Sequence, residues 1–338
     1  MTWVAEQPSA GIAARPAVKA SSAVNVTYLL ATGIAMSGEG VADVLGQAQR
    51  KALRLEAPPA PHPTAFDPGL IRDRLVALGS LQRASDEELL DRLIVTMRLY
   101  ASARAKDLSA WPAGSWSMEP QGSSLENCEV LVIRYHDTKE SRGKAADIRV
   151  GGWSSSPVKV PRVSAARLQA LGWEEERAIE VTETCCLVRT LAEYMRRAAP
   201  ILQRGNQIKI GGRQCLASST ILFLQAFKPG APLRFLGPQR INKRLQAFHN
   251  AAGILPPCGQ EASKEEGSVF YAKHWRHVSA SCIAFTSSPE EAKHSLHHSA
   301  VSTFERHYKI GLSRDFVGRW LDLPASKRAL SVVERLLV

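Results

Sequence analysis

The sequence has no apolar run of membrane-spanning length, no basic-then-apolar N-terminal leader, no CxxC pair, no Walker phosphate loop and no internal repeat. Each absence removes a class of protein. A spanning helix needs about 20 consecutive apolar residues, so no membrane partner is expected. The missing leader argues against secretion. The cysteines, Cys128, Cys185, Cys186, Cys215, Cys258 and Cys282, are scattered apart from one adjacent pair in an apolar stretch. They read as reduced, mostly buried thiols of an intracellular protein. His294, His297 and His298 together with Cys282 lack the paired spacing of a zinc site, so no metal is expected.

What is present is a chain of 338 residues, 45% hydrophobic, with a formal net charge of +11 and a pI near 9.5. That length allows one large domain or two ordinary ones, with a sizeable core. The positive excess favours a polyanionic partner, nucleic acid before membrane.

Residues 1–22 are rich in Ala, Ser, Pro and Gly without periodicity, and disorder is expected there. Residues 23–56 read as two short helices, too small to bury a core alone. Residues 57–68 hold five prolines, which fix φ and remove donors, so a linker and a domain boundary are expected there. After it helical patterns dominate. Ser85 and Glu88 form a capping-box pattern ahead of Leu89, Leu90, Leu93, Ile94, Met97 and Tyr100. Residues 129–135 read as a strand, with 147–150 and 178–181 as candidate partners. Leu187, Leu191, Tyr194 and Met195 mark one helix face; Ile241, Leu245 and Phe248 mark another, ended by Gly253. Residues 269–308 read as two or three helices, one starting at Pro289, and residues 151–176 as an insertion opened by a flexible Gly/Ser stretch. The expected fold class is mainly α with one small inserted antiparallel β-sheet.

The chemistry-bearing residues cluster towards the C-terminal end. Residues 273–277 read Lys-His-Trp-Arg-His, residues 296–299 Leu-His-His-Ser, and residues 302–308 end in Arg306-His307-Tyr308. Upstream, Arg104 is followed by Asp107 and Leu108, and Lys139 follows the strand pattern of 130–135. A helical pattern from Arg240 ends at Ala252-Gly253-Ile254 ahead of Arg276. This ordered set over roughly residues 65–310 resembles the tyrosine recombinase (integrase) family. There an Arg at a helix end, a Lys in a β-hairpin turn, a His-x-x-Arg motif, a Leu-Gly-His-Ser segment and a nucleophilic Tyr follow one another.

The resemblance implies a DNA breaking-rejoining catalytic domain at residues 69–312 with a C-terminal tail at 313–338. It implies catalytic roles for Arg104, Lys139, Lys273, Arg276, His298 and Tyr308. Two guanidiniums can grip the non-bridging oxygens of a phosphodiester as charge builds in its transition state. The Tyr308 hydroxyl would attack phosphorus and leave a 3′-phosphotyrosine. Lys139 would donate a proton to the departing 5′-oxygen, and His298 would hydrogen-bond the phosphate. Lys273 stands where the motif has its first His; an ammonium is a poor base unless burial lowers its pKa, yet it can donate to phosphate. The covalent bond conserves the ester energy, so no cofactor is expected.

Expected partners are double-stranded DNA and further copies of the chain, a tetramer because recombination needs four strand cuts. Expected localisation is intracellular: nuclear in a eukaryotic host, cytoplasmic or nucleoid in a prokaryotic one. Lys243, Arg244 and Arg213 are candidate DNA contacts, and Arg189, Arg196, Arg197, Arg204 and Lys209 read equally as phosphate contacts or a solvated face. The apolar tail (Phe316, Val317, Trp320, Leu321, Leu330, Val333, Leu336, Leu337) reads equally as a dock for a neighbouring subunit or as packing on its own domain. Alternatives are a catalytically impaired DNA-binding relative, a type IB topoisomerase-like enzyme and a helical protein-interaction module.

Overall fold

The computed structural model describes residues 66–109, 111, 116–135, 157–204, 208–210, 213–215, 223, 234–254, 267–296, 301, 305, 312, 314–322 and 332–337. All of these lie within the compact unit Pro63–Val338. The expectations for residues 1–22 and 23–56, and for the linker up to residue 65, fall outside them.

The chain opens with α1 (Pro68–Ala77). Asp67 caps it, its carboxylate accepting from Gly69 N at 2.8 Å, and Pro68 supplies a preset φ at the first helical position. Next is α2 (Asp86–Tyr100), capped by Ser85 Oγ, which accepts from Glu88 N at 3.2 Å. The capping-box expectation holds for this bond, while the Glu88 carboxylate pairs one turn on with Arg92. Helix α2 is buried almost all round, Leu89 to Tyr100 forming the spine of the core. A helix buried on every side must satisfy any polar group internally, so Thr96 Oγ1 donates back to Arg92 O at 2.8 Å and Arg92 Nη1 to Gly79 O at 2.6 Å.

The short α3 (Ala105–Ser109) leads to a three-stranded antiparallel sheet, β1 (Trp116–Glu119), β2 (Val130–Ile133) and β3 (Val158–Pro161), with β2 central. β2 was expected; its partners were not. Residues 178–181 are helical, inside α5 (Glu175–Cys185). Their buried positions, Ala178, Val181, Thr182 and Cys185, fall at helical spacing, and this period overrides the local β-branched content. The candidate partner 147–150 lies outside the described residues. β3 and α4 (Ala165–Ala170) come from residues 151–176. From residue 157 onward that segment packs into the core: Val160 and Leu168 are fully buried.

Helix α6 (Leu187–Arg204) runs against α2. A second sheet, absent from the expectation, follows as the hairpin β4 (Ile208–Ile210) and β5 (Arg213–Cys215). Then come α7 (Pro238–Ala251), α8 (Gly267–Thr286) and α9 (Pro289–Ser295), as the helical patterns and Pro289 predict. Gly253 ends α7 with φ 69°, the left-handed conformation that favours glycine there.

The tail forms α10 (Arg314–Asp322) and α11 (Val332–Leu337). Phe316, Leu336 and Leu337 are buried in the main core. Arg72 Nη1 donates to Leu337 O at 2.8 Å, Arg167 Nε to Glu334 at 2.9 Å, and Arg319 Nη1 to Asp67 at 2.9 Å. Phe316, Leu336 and Leu337 thus pack on the tail's own domain, while Leu321 is exposed. The described fold is mainly helical with a small three-stranded antiparallel sheet, and among the described residues no helix is long and apolar enough to cross a membrane.

Candidate functional site

The site is built where α2 ends. Ala101 N closes the last turn on Met97 O at 3.1 Å. Ser102 then takes φ 47°, in the left-handed region, a conformation costing a non-glycine residue about 1 kcal/mol or more. Such strain persists only when surrounding contacts fix it. Here the Ser102 hydroxyl meets those of Ser279 at 2.8 Å and Ser295 at 3.1 Å, and Ser279 Oγ also donates to Leu99 O at 2.7 Å. One turn is thereby tied to both α8 and α9.

Two guanidiniums grip the same turn. Arg276, on α8 and 4% exposed, donates from Nη1 to Ser102 O and from Nη2 to Leu296 O, each at 2.6 Å. Arg98, on α2, donates from Nη1 to Ala103 O. Arg104 follows immediately, half-buried at the start of α3. Its N–H is held at 3.0 Å by the Asp107 carboxylate, three residues ahead, which satisfies an otherwise orphaned donor of the helix start. Arg104 was expected at a helix end; it lies instead just before the next helix, because the left-handed Ser102 breaks the chain between them.

The electrostatics follow from the crowding. Burial, reinforced by the Arg276 guanidinium, pushes the Arg98 pKa down to about 9, against the pull of Asp107. Burial pushes the Tyr135 hydroxyl well up; Asp107 adds to this, and Arg276 and Arg98 oppose it. Among these described groups three guanidiniums face one carboxylate, a field that favours a bound anion.

The remaining expected residues fall as follows. Lys139 lies outside the described residues, on the connection between β2 and β3, which are antiparallel neighbours. Lys273 is in α8 one turn before Arg276, and its side chain is outside the described residues. So are His298 and Tyr308; Arg276 holds the carbonyl of Leu296, two residues before His298 in the chain. His274 is buried edge-on against Phe66 at 5.5 Å, away from the Arg276 face as helical spacing predicts. The structure thus brings Arg104 and Arg276 to one turn.

The expected DNA contacts separate. Lys243 is exposed on α7. Arg244, one residue on, pairs with Asp91 at 2.6 Å and donates to Glu87 O at 3.0 Å. Burial raises the Asp91 carboxyl above its ordinary value and the Arg244 charge opposes that rise, so Arg244 joins α7 to α2. Arg213 lies in β5, with its side chain outside the described residues. Arg197 is likewise structural. It pairs with Glu193 at 2.7 Å and Asp86 at 2.9 Å and reaches the carbonyls of Ala84, Leu81 and Gln82. Arg196 is an exposed partner of Glu193. Arg234 and Arg240 line an open cavity of about 770 Å³ at the start of α7.

Sequence reasoning missed Arg98, Ser102, Ser279 and Ser295. Arg98 had a signal: a lone charge among Ile94, Val95, Met97 and Leu99, every one buried. The serines had none, because small hydroxyls are common everywhere. Comparison with protein-family models and with curated proteins finds no match for this chain.

Proposed function

We propose that the chain is a DNA strand transferase of the tyrosine recombinase type, with the corresponding breaking-rejoining catalytic fold. The observation that carries this reading is the contact from Arg276 to the carbonyl of Ser102, two residues before Arg104. The two arginines picked out by motif order alone belong to one positively charged turn, as a phosphate clamp requires.

In this reading Arg104 and Arg276 stabilise the charge that develops on the scissile phosphate. Tyr308 Oη attacks phosphorus, its proton passing to water, and becomes a 3′-phosphotyrosine, while the P–O bond to the 5′-oxygen breaks and that oxygen leaves with a proton from Lys139. His298 and Lys273 donate to the phosphate oxygens. The ester energy is kept in the covalent link, and attack by a 5′-hydroxyl reverses the step. The excess of 43 Lys and Arg over 32 Asp and Glu supports a DNA partner, bound by a multimer because recombination cuts four strands.

The test is covalent trapping. The protein is mixed with nicked duplexes drawn from the DNA flanking its own gene, denatured in detergent and examined for a protein–DNA adduct. An adduct lost in Tyr308→Phe supports the reading. Absence of an adduct on every duplex that the protein binds specifically defeats it.

A second reading is favoured by the burial of Arg276, whose two terminal nitrogens both donate to backbone carbonyls, together with Lys273 in place of the motif His. It is a DNA-binding relative without strand transfer. Binding would then weaken steeply with salt and be indifferent to Tyr308→Phe.

A further inference from the structure

We infer that Arg98 is a positioning residue for the anion clamp, holding the 101–104 turn so that Arg104 meets a DNA phosphate; this rests on the DNA-binding part of the proposed function.

Three observations converge. First, Arg98 sits where packing alone calls for an apolar side chain. It is 3% exposed, and its helical neighbours Ile94, Val95, Met97 and Leu99 are all buried. What the arginine supplies beyond an apolar side chain is a donor and a charge, and its Nη1 spends one donor on the turn.

Second, the turn is among its partners. Arg98 Nη1 donates to Ala103 O, and Arg276 Nη1 donates to the preceding carbonyl, Ser102 O, at 2.6 Å. Two cations from two helices, α2 and α8, hold successive carbonyls. Those carbonyls follow the bend at Ser102, with its φ of 47°, and the next residue is Arg104. The direction in which Arg104 leaves the bend is therefore fixed from one side by Arg98 and from the other by Asp107, which binds its N–H at 3.0 Å.

Third, Arg98 shares its surroundings with Arg276, Arg104, Asp107 and Tyr135. Placing a further cation beside Arg276 is unfavourable for the free protein. It becomes favourable once an anion is bound, when Arg98 adds to the attraction without touching the ligand.

The test compares Arg98→Met, Arg98→Lys, Arg104→Ala and the double variant Arg98→Met/Arg104→Ala with the wild-type chain. Thermal unfolding is measured first, then cleavage on nicked duplexes and DNA affinity. Arg98→Met should melt below the wild-type temperature, since Ala103 O loses this donor, yet the protein that remains folded should lose roughly 100-fold in the cleavage rate at saturating DNA, the scale of a misplaced clamp. Arg98→Lys, which keeps a cation and a donor, should recover most of the rate even if it melts lower. Cleavage by Arg98→Met at the wild-type rate overturns the inference.

The affinity measurement separates this inference from strand transfer. If the wild-type chain binds DNA without cutting it, the strand-transfer reading fails. Arg98→Met should still weaken binding in the wild-type background and not in the Arg104→Ala background. Additive losses in that cycle overturn the positioning role. A wild-type chain that neither cuts nor binds DNA overturns both proposals. If Arg98→Met fails to fold, Arg98→Lys decides through the same cycle: whatever affinity it loses should be lost only where Arg104 is present, and a loss of the same size in the Arg104→Ala background overturns the role.

Discussion

Arg276 donates to the carbonyl of Ser102 across 174 residues of sequence, at 2.6 Å and largely buried. Its second terminal nitrogen does the same for Leu296. The residue to which the proposed function gives phosphate chemistry also joins three helices, so in that reading stability and activity are coupled at this position. Replacing it with alanine leaves two buried carbonyls without these donors, at about 1–3 kcal/mol each. Arg276→Ala should unfold at clearly lower urea, and Arg276→Lys, able to serve one carbonyl, should fall between. A wild-type midpoint for Arg276→Ala would show that the two bonds carry no net stability.

Ser102 lends itself to a paired substitution. Its left-handed backbone is strained, and its hydroxyl touches Ser279 and Ser295. Ser102→Ala keeps the strain and loses the hydroxyl bonds, whereas Ser102→Gly loses the bonds but relieves the strain. Alanine should therefore be the more destabilising by about 1 kcal/mol, read from urea midpoints at constant slope. The reverse order would mean that the turn relaxes out of the left-handed region once the hydroxyl is gone.

The architecture around this turn was legible in proportion to its periodicity. Helices α2, α6 and α7 announce themselves through apolar residues at helical spacing and through Ser85 and Gly253 at their ends. The segment 178–181 did not. Four residues, Ala-Ile-Glu-Val, fit either period, and only the longer run to Cys185 shows the helical one. β3 was hidden because a single edge strand of four residues carries too little alternation to stand out beside Gly/Ser-rich sequence. At the site, Arg104 and Arg276 were readable as types in a fixed order. Arg98 and the three serines act through contacts far apart in sequence, which one-dimensional spacing does not encode.

The arginines of α6 behave oppositely despite being adjacent. Arg197 satisfies the loop carbonyls of Leu81, Gln82 and Ala84 as well as two carboxylates. Arg196 is an exposed partner of Glu193. Arg197→Ala should cost about 1–3 kcal/mol through the stranded loop carbonyls, and Arg196→Ala should leave the unfolding curve unchanged. If Arg196→Ala instead weakens DNA binding at constant stability, it belongs with the phosphate contacts; the salt dependence of the affinity measures this.

Acid should act through His249. Its Nδ1 accepts from Trp275 Nε1 at 3.0 Å. Burial, with His274 nearby, lowers its pKa from 6.5 to about 4. The fold therefore holds the ring neutral while the unfolded chain binds a proton below 6.5. This contribution is complete above pH 6.5 and is lost as pH falls through about 4. His249→Gln keeps an acceptor for the indole and removes the titration. Acid unfolding followed by tryptophan fluorescence should thus shift to lower pH in the variant. An unshifted transition would place acid sensitivity in other groups.

The tail gives the sharpest contrast between cohesion and assembly. Leu337 is fully buried, its carbonyl accepts from Arg72, and Phe316 and Leu336 enter the same core. A segment that completes its own domain cannot leave to dock on a neighbour without opening that core. Deleting residues 313–338 should therefore abolish cooperative unfolding rather than merely change the number of copies on DNA. The milder Leu337→Ala should lower stability by about 2–5 kcal/mol, as expected for truncating a buried leucine, with the oligomeric state of the remaining folded protein unchanged in sedimentation. Wild-type stability with altered assembly in Leu337→Ala would give the tail to the subunit interface instead, because only a side chain buried between copies can be truncated without loss to the single chain.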